Sequence, residues 1–377
     1  MTWIFWSALF VLAYTFIGYP LLLWALSCFH KRVHRRDTHW PSVSLIIAVH
    51  NEFKRIDAKI LNSLELQYPE GKREILVASD GANDGTADII RSYADRGVKL
   101  IEIPERRGKH FAQMKARDAS TGQILVFSDV SVRLDSDVLQ KMVSNFIDPS
   151  VGCVSSEDSL TATAQSSMGE NSYVDFETRL RRLESQVNSL VSLSGSFFAA
   201  RREVCDDWNP LQSSDFFLAL NAVSRGFRAV VDPTCRGYYG SAPLKRSEFI
   251  RKVRTIVHGL DVFFTHLKFL NPVRFGLFSL QLISHKLFRW LGPFALLSLT
   301  FSSVFLWKAS LIYRVCLIGQ IFLYGCGAVG LMGSNQRKVK LFTLAGFFLM
   351  GNAAAAYAWL RYCSGERYAA WQPTQRE

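Results

Sequence analysis

Three stretches decide the fold: residues 43–52 read VSLIIAVHNE, residues 74–86 read EILVASDGANDGT, and residues 123–131 read QILVFSDVS. Each opens on a run of Val, Ile, Leu or Ala and closes on carboxylates and turn formers, which is the pattern of a strand entering a loop. Val98–Ile103 adds a fourth run of the same kind. Helical patterns lie between the runs, over Ile56–Leu66, over Thr86–Ala94 with Thr86 as N-cap, and over Lys109–Ala119. Alternation of strand and helix predicts an α/β fold with a doubly wound, mostly parallel sheet. Ligands bind such sheets beyond the carboxyl ends of the strands. The first strand ends in His50-Asn51-Glu52, the second in Asp80-Gly81-Ala82-Asn83-Asp84-Gly85-Thr86, and the fourth in Ser128-Asp129-Val130-Ser131. One such cluster is ordinary turn chemistry. Three on one rim make a site suited to ribose hydroxyls, a base edge and a metal ion. No GxxxxGK[ST] or GxGxxG follows the first strand, so Walker-type and dinucleotide-binding readings lack their phosphate loops.

Outward from this core the chain changes character. Its 377 residues allow two or three domains. The 49% hydrophobic and 20% charged content, with a mean hydropathy of +0.10, excludes a disordered or collagen-like chain. Lys and Arg outnumber Asp and Glu by 44 to 32, a net +12 that suits a nucleic acid, an anionic membrane or a phosphorylated substrate. The seven Cys contain no CxxC pair, which reads as reduced thiols rather than a zinc or disulfide framework. From Trp3 to Phe29 no charge occurs, a length above the ~20 residues that cross a bilayer. The basic cluster His30-Lys31-Arg32-Val33-His34-Arg35-Arg36 follows, which the positive-inside rule places in the cytoplasm. Three more apolar runs, Leu291–Trp307, Leu311–Met332 and Leu341–Leu360, are expected spans, with the basic Gln336–Lys340 on the cytoplasmic side. Four spans put both termini outside and residues 30–289 inside. Phe249–Ser284 mixes apolar residues with Arg251, Arg254, His258, Lys268 and Arg274, as in an amphipathic segment lying along the interface. Basic clusters beside membrane spans, with no aromatic-basic platform, argue against nucleic acid.

Residues 40–260 resemble the catalytic domain of membrane-bound family 2 glycosyltransferases, the group of cellulose, chitin and hyaluronan synthases and bacterial exopolysaccharide transferases. Val49-His50-Asn51-Glu52 resembles the opening YNE-like motif and Asp80–Thr86 the DGSxDGT motif. Arg107-Gly108-Lys109 matches the NxGK-type loop, Phe127–Ser131 the DxD position, and Ser214-Asp215-Phe216 the ED or DD element. Arg251-Lys252-Val253-Arg254 stands at the (Q/R)xxRW position. The resemblance implies a GT-A fold and a nucleotide-sugar donor, most often a UDP-sugar. It implies that Glu52, Asp80, Asp84 and Lys109 bind the donor nucleotide and that Asp129 holds Mg²⁺ or Mn²⁺, ions that prefer oxygen ligands. Arg251 and Arg254 would bind the diphosphate, and Asp215 would be the general base of an inverting displacement. Ser194–Arg201 resembles the small-residue segment that admits the acceptor, with Gly195 and Ser196 as acceptor contacts.

Other readings of these residues stand beside these. Asp215 also suits the first turn of a helix capped by Ser213 and Ser214, Lys109 a solvated helix start, and Arg251 and Arg254 anchors for anionic lipid. His110, His258 and His285 lack metal-ligand spacing, and the helix expected over Tyr173–Leu193 carries core residues. Two positions depart from the family: Ser131 replaces the second Asp of the metal motif, and Thr255 stands where processive synthases carry Trp.

The organisation expected is an N-terminal transmembrane helix (1–30), a basic linker (31–40), a cytoplasmic transferase domain (41–245), an interfacial segment (246–288), three transmembrane helices (289–362) and a tail (363–377). The function expected is transfer of one sugar, or a few, to a lipid-linked or glycan acceptor at the cytoplasmic face of the cell membrane, in cell-surface polysaccharide biosynthesis. Alternatives are a processive polysaccharide synthase with coupled export or polymerase partners, and a non-catalytic nucleotide-sugar-binding scaffold or transport component.

Overall fold

The computed structural model describes residues 1–160, 168–240, 245–332 and 339–366. The chain forms two compact units, one from Met1–Lys31, Gln165–Leu183 and Leu244–Arg367, the other from Arg32–Ala164 and Glu184–Pro243.

The second unit is built on strands β1 (Val43–Val49), β2 (Arg73–Asp80), β3 (Val98–Ile103), β4 (Ile124–Asp129), β5 (Arg133–Leu134), β6 (Val151–Leu160), β7 (Phe197–Arg201) and β8 (Arg228–Tyr239). Their order in one sheet is β3-β2-β1-β4-β7-β6-β8-β5. Every residue of β1 is buried, as befits a central strand covered on both faces. Leu45, Ile47 and Val49 face Ile56 and Ile60 of the helix Phe53–Leu64. Ile46 and Ala48 face Ala112 and Ala116 of the helix Lys109–Ala119. The apolar runs of the sequence therefore became strands because each alternate residue finds its own apolar layer.

The mostly parallel expectation holds, for four of the seven strand pairings. Strands β1–β4 are parallel, as is β6 with β8, whereas β7 runs antiparallel to both β4 and β6, and β5 to β8. The sheet is thus mixed. Between β4 and β7 the chain adds β5 and β6 to the same sheet, and β7 enters between β4 and β6 running against both. Most of the small-residue segment Ser194–Arg201 is strand β7. Two local expectations also change. Gly85 (φ +89°), not Thr86, caps the helix Thr86–Arg91, and the helix expected over Tyr173–Leu193 spans Met168–Val187, with Leu190 and Leu193 buried beyond its end. The basic linker is partly docked: Arg36 pairs with the buried Asp232 at 2.7 Å, and His34 Nε2 bonds Asn145 Oδ1 at 2.6 Å.

In the helical unit, Thr2–Phe29, Leu311–Met332 and Lys340–Cys363 are each long and apolar enough to span a membrane. Over the expected span Leu291–Trp307 the helix Gly292–Phe305 has 14 residues, about 21 Å against the ~30 Å of a hydrocarbon core. It qualifies only together with Leu277–Trp290, from which it is bent by 60°, so the unit holds three candidate spans or up to four. Two of the spans cross closely through small residues. A Cβ on Gly330 would run into the Phe342 carbonyl oxygen, and Gly346 faces the same crossing. The helix Lys245–Thr265 packs on the last span, with Phe264 5.7 Å from Trp359 and Lys252 over the Phe347 ring. Residues 336–338 of the basic loop and Arg367 and Arg376 of the tail lie outside the described residues.

Candidate active site

Parallel strands deliver the residues that follow their carboxyl ends to one rim, and β1, β2 and β4 do so here. Asp80, the last residue of β2, is only 3% exposed. Its two carboxylate oxygens accept from the backbone amides of Arg107 and Gly108, both at 2.7 Å. The second acid motif thus anchors the Arg107-Gly108-Lys109 loop. Gly108 (φ +100°) then starts the helix Lys109–Ala119. Gly81 (φ +60°) lets the two loops touch, since a Cβ there would sit 2.6 Å from the Arg106 nitrogen.

Glu52 and Asp84 meet through Thr86. The Glu52 amide donates to Thr86 Oγ1 at 2.9 Å, and the hydroxyl and amide of Thr86 both donate to Asp84. Partial burial opposes the charge on Asp84, but these bonds and one from the Phe53 amide outweigh it and hold the carboxyl below its usual range. Burial pushes Glu52 upward despite its ion pair with Arg55 at 2.7 Å, and the charges of Asp129 and Asp84 push the same way.

Lys109 joins three motifs. Its ammonium pairs with Asp129 and donates to the Gly195 carbonyl at 2.9 Å. Asp129 and Ser196 are locked side by side by the Asp129 amide donating to the Ser196 carbonyl at 2.8 Å, an extension of the β4–β7 ladder. A Cβ built on Gly195 would lie 3.5 Å from Asp215 Oδ2. Asp129, Lys109, Gly195, Ser196 and Asp215 are therefore neighbours. Asp215 lies in the first turn of the helix Ser214–Ser224, which allows the helix-dipole reading as well. The expected serine caps are not made: Ser213 provides no side-chain cap, and Ser214 Oγ donates to Gln113 at 2.8 Å. His110 accepts from the Ser214 amide at 3.2 Å.

Two participants carried no signal in the sequence. Asp158, on β6, accepts from the hydroxyls of both Ser194 and Ser196. Lys59, 3% exposed on the buried stripe of the helix Phe53–Leu64, donates to Ser128 Oγ and to the Val132 carbonyl, both at 2.7 Å. Burial draws its pKa down to about 7, against the pull of Asp129. A lysine at helical spacing among Ile56, Ile60 and Ser63 reads as a break in the apolar face, and only its partners reveal its place.

Arg251 and Arg254 lie on the helix Lys245–Thr265, in the other unit. Both nitrogens of one Arg251 fork are on Glu248 at 2.8 Å. In that unit His285 is also partnered, with Nε2 2.8 Å from Glu177.

Among the described residues no group of three His, Cys, Asp or Glu side chains is gathered for a metal. The donor set at Asp129 is one carboxylate, with Ser131 two residues on. That set fits an ion that completes its shell with substrate phosphates and water, and does not fit an all-protein cage.

Comparison with known proteins bears on this rim. Residues 44–208 match the glycosyl transferase family 2. The chain is 33% identical over 141 residues to an N-acetylglucosaminyltransferase of Rhizobium sp. (strain N33), covering 37% of this chain and 31% of that protein. It is 30% identical over 173 residues to glycosyltransferase AglE of Haloferax volcanii, covering 45% of this chain and 56% of that protein. The chain thus spans about a third to just over half the length of these curated relatives. Among solved structures, the mannosyltransferase PcManGT of Pyrobaculum calidifontis, in complex with GDP-Man and Mn²⁺, superposes with a TM-score of 0.70. That match covers 96% of this chain and 99% of the other at 24% identity, a likeness of fold. The mixed sheet with helices on both faces is GT-A-like, and residues 44–208 are a glycosyl transferase family 2 domain.

Proposed function

We propose that this protein is an inverting glycosyltransferase that moves a sugar from a nucleotide-sugar donor to a hydroxyl of a lipid-linked or glycan acceptor at the cytoplasmic face of the cell membrane. The observation that carries the reading is the Lys109 ammonium, which pairs with Asp129 and bonds the Gly195 carbonyl, next to Asp215. Donor-side and acceptor-side residues are thereby within one side chain's reach. Glu52, Asp80 and Asp84 shape the nucleoside end, Asp80 chiefly by holding the loop that carries Lys109.

Asp129 would hold Mg²⁺ or Mn²⁺ together with the donor's phosphates, and such an ion supplies charge neutralisation to the departing diphosphate. Lys109 adds a second positive charge at the same place. Arg254 is assigned to the diphosphate by resemblance, and Arg251 shares that motif while committed to Glu248. Asp215 takes the proton from the acceptor hydroxyl as that oxygen attacks the anomeric carbon. One carboxylate on the acceptor side makes a single displacement, hence inversion. Gly195 leaves room for the acceptor, and Asp158 fixes the hydroxyls of Ser194 and Ser196 beside it. Thr255 in place of a stacking Trp favours one addition, or a few, over a long chain.

The N-terminal apolar helix with its basic flank supports membrane attachment and a cytoplasmic catalytic domain. The test is release of free UDP or GDP by the full chain in detergent, with a panel of UDP- and GDP-sugars, native lipid extract, and Mg²⁺ or Mn²⁺. Donor-dependent release and a glycosylated lipid or glycan are expected. A wild type that binds these nucleotides yet releases none with any donor and acceptor supports the scaffold reading instead.

A further inference from the structure

Lys59 is a costly residue in its position. It occupies the core stripe of the helix Phe53–Leu64 with Ile56, Ile60 and Ser63, where Met or Leu would fill the same space with no charge to bury. An ammonium persists in such a place only where its donors are met, and buried ionic groups are best attested in fixing one arrangement over others. Two of its donors go to Ser128 Oγ and the Val132 carbonyl, which bracket Asp129-Val130-Ser131. The bracketed turn is closed further by the Val132 amide on the Asp129 carbonyl at 3.2 Å. Ser128 is itself fixed in the sheet, in register with Ile47 on β1 and Phe197 on β7. Lys109 reaches Asp129 from a helix on the opposite face of the sheet. The loop is thus held from both layers.

The departure at Ser131 gives this support a purpose. Two acids in a metal motif can define a cation's place by chelation, but a single carboxylate defines it only if its own position is fixed. We propose that Lys59 is the positioning residue of the Asp129 loop, tying Ser128 to Val132 so that one carboxylate suffices to receive a nucleoside diphosphate with its divalent cation. The proposal rests on the transferase reading, which assigns the donor to this rim. Residues that orient metal ligands without touching the metal commonly contribute ~10- to 100-fold in affinity.

The experiment compares the full-length wild type in detergent with Lys59→Met and Ser128→Ala. It reads hydrogen–deuterium exchange of the peptides covering 128–134 and 43–49, and binding of Mn²⁺ with UDP and with GDP. For Lys59→Met, exchange over 128–134 should rise at least ~tenfold while 43–49 keeps its protection, and Mn²⁺-nucleotide binding should weaken at least ~tenfold. Ser128→Ala should do the same to a smaller extent, and it decides the matter if Lys59→Met does not fold. Unchanged loop exchange, or a loosened loop with unchanged Mn²⁺-nucleotide binding, overturns the proposal. A loop that loosens in a protein whose wild type binds neither nucleotide overturns the transferase reading, and with it the purpose assigned to Lys59.

Discussion

The two halves of the sheet serve the same rim by opposite means. In the β1–β4 half the strands are parallel, and β1, β2 and β4 contribute residues at or just after their carboxyl ends: Glu52, Asp80, Asp84 and Asp129. In the other half β7 runs antiparallel to β4, so it reaches the rim with its beginning, and the residues before it, Ser194 to Ser196, lie beside Asp129. The second half of β6 arrives at the same place and brings Asp158. The difference shows how one rim can be built from two chemistries, carboxylates on one side and a backbone edge on the other. On the proposed reading, the parallel half would supply the carboxylates of a nucleotide and cation site, and the strand reversal a backbone edge for a sugar acceptor.

Substitutions can break each half in turn. The largest effect belongs to the acceptor side: Asp215→Asn should lower turnover by ~10²–10⁴-fold, since only the proton acceptor is lost. UDP or GDP binding by isothermal calorimetry should be retained, and undiminished turnover would remove Asp215 from the mechanism. On the donor side, Asp129→Ala should weaken donor binding and the response to Mn²⁺ together, by ~10- to 100-fold. A variant with the wild-type Mn²⁺ titration would contradict the cation assignment.

A finer separation comes from Gly195→Ala. The added methyl meets Asp215 Oδ2 at 3.5 Å, an ordinary contact, so the fold should stand. The acceptor loses its room, and its KM should rise by roughly tenfold or more, while the KM for the donor stays within a factor of about two. Equal loss for both substrates would deny that the strand reversal is the acceptor's edge.

The smallest effect tests the structural end of the parallel half. Glu74 accepts from Ser44 and Thr121 and pairs with Lys99 at 2.8 Å. Burial opposes its charge, but these partners hold its pKa near about 2. A carboxyl whose folded pKa lies below its unfolded value stabilises fully above the unfolded pKa and loses that contribution as pH falls through the folded one. Glu74→Gln should therefore cost up to about 2–3 kcal/mol at pH 7, and the gap in Tm from wild type should close as pH drops from 4.5 towards 2. A gap independent of pH would assign the loss to packing instead.

What could be read in advance follows the range of the interactions concerned. The strands β1 to β4, the acids at their ends and the apolar helices were legible because run length and periodicity are local properties. The bend within the Leu291–Trp307 region was not legible, because hydropathy counts apolar residues and does not register the 60° break that leaves a 14-residue helix. Thr86 was misread as a cap because its hydroxyl has a better use, on Asp84 and under the Glu52 amide.

The amino-acid sequence by itself determined an α/β domain flanked by apolar helices, the acidic rim at the ends of its parallel strands, and the motifs that mark it as a family 2 domain. Only the tertiary structure decided the direction of β7, the place of Asp158 beside Ser194 and Ser196, the docking of Arg36 on Asp232, and the burial of Lys59 under the Asp129 loop. Each of those joins residues far apart in the chain, 69 positions for Lys59 and Ser128. Whether a buried charge is satisfied depends on partners that distant segments supply, and no local pattern encodes them.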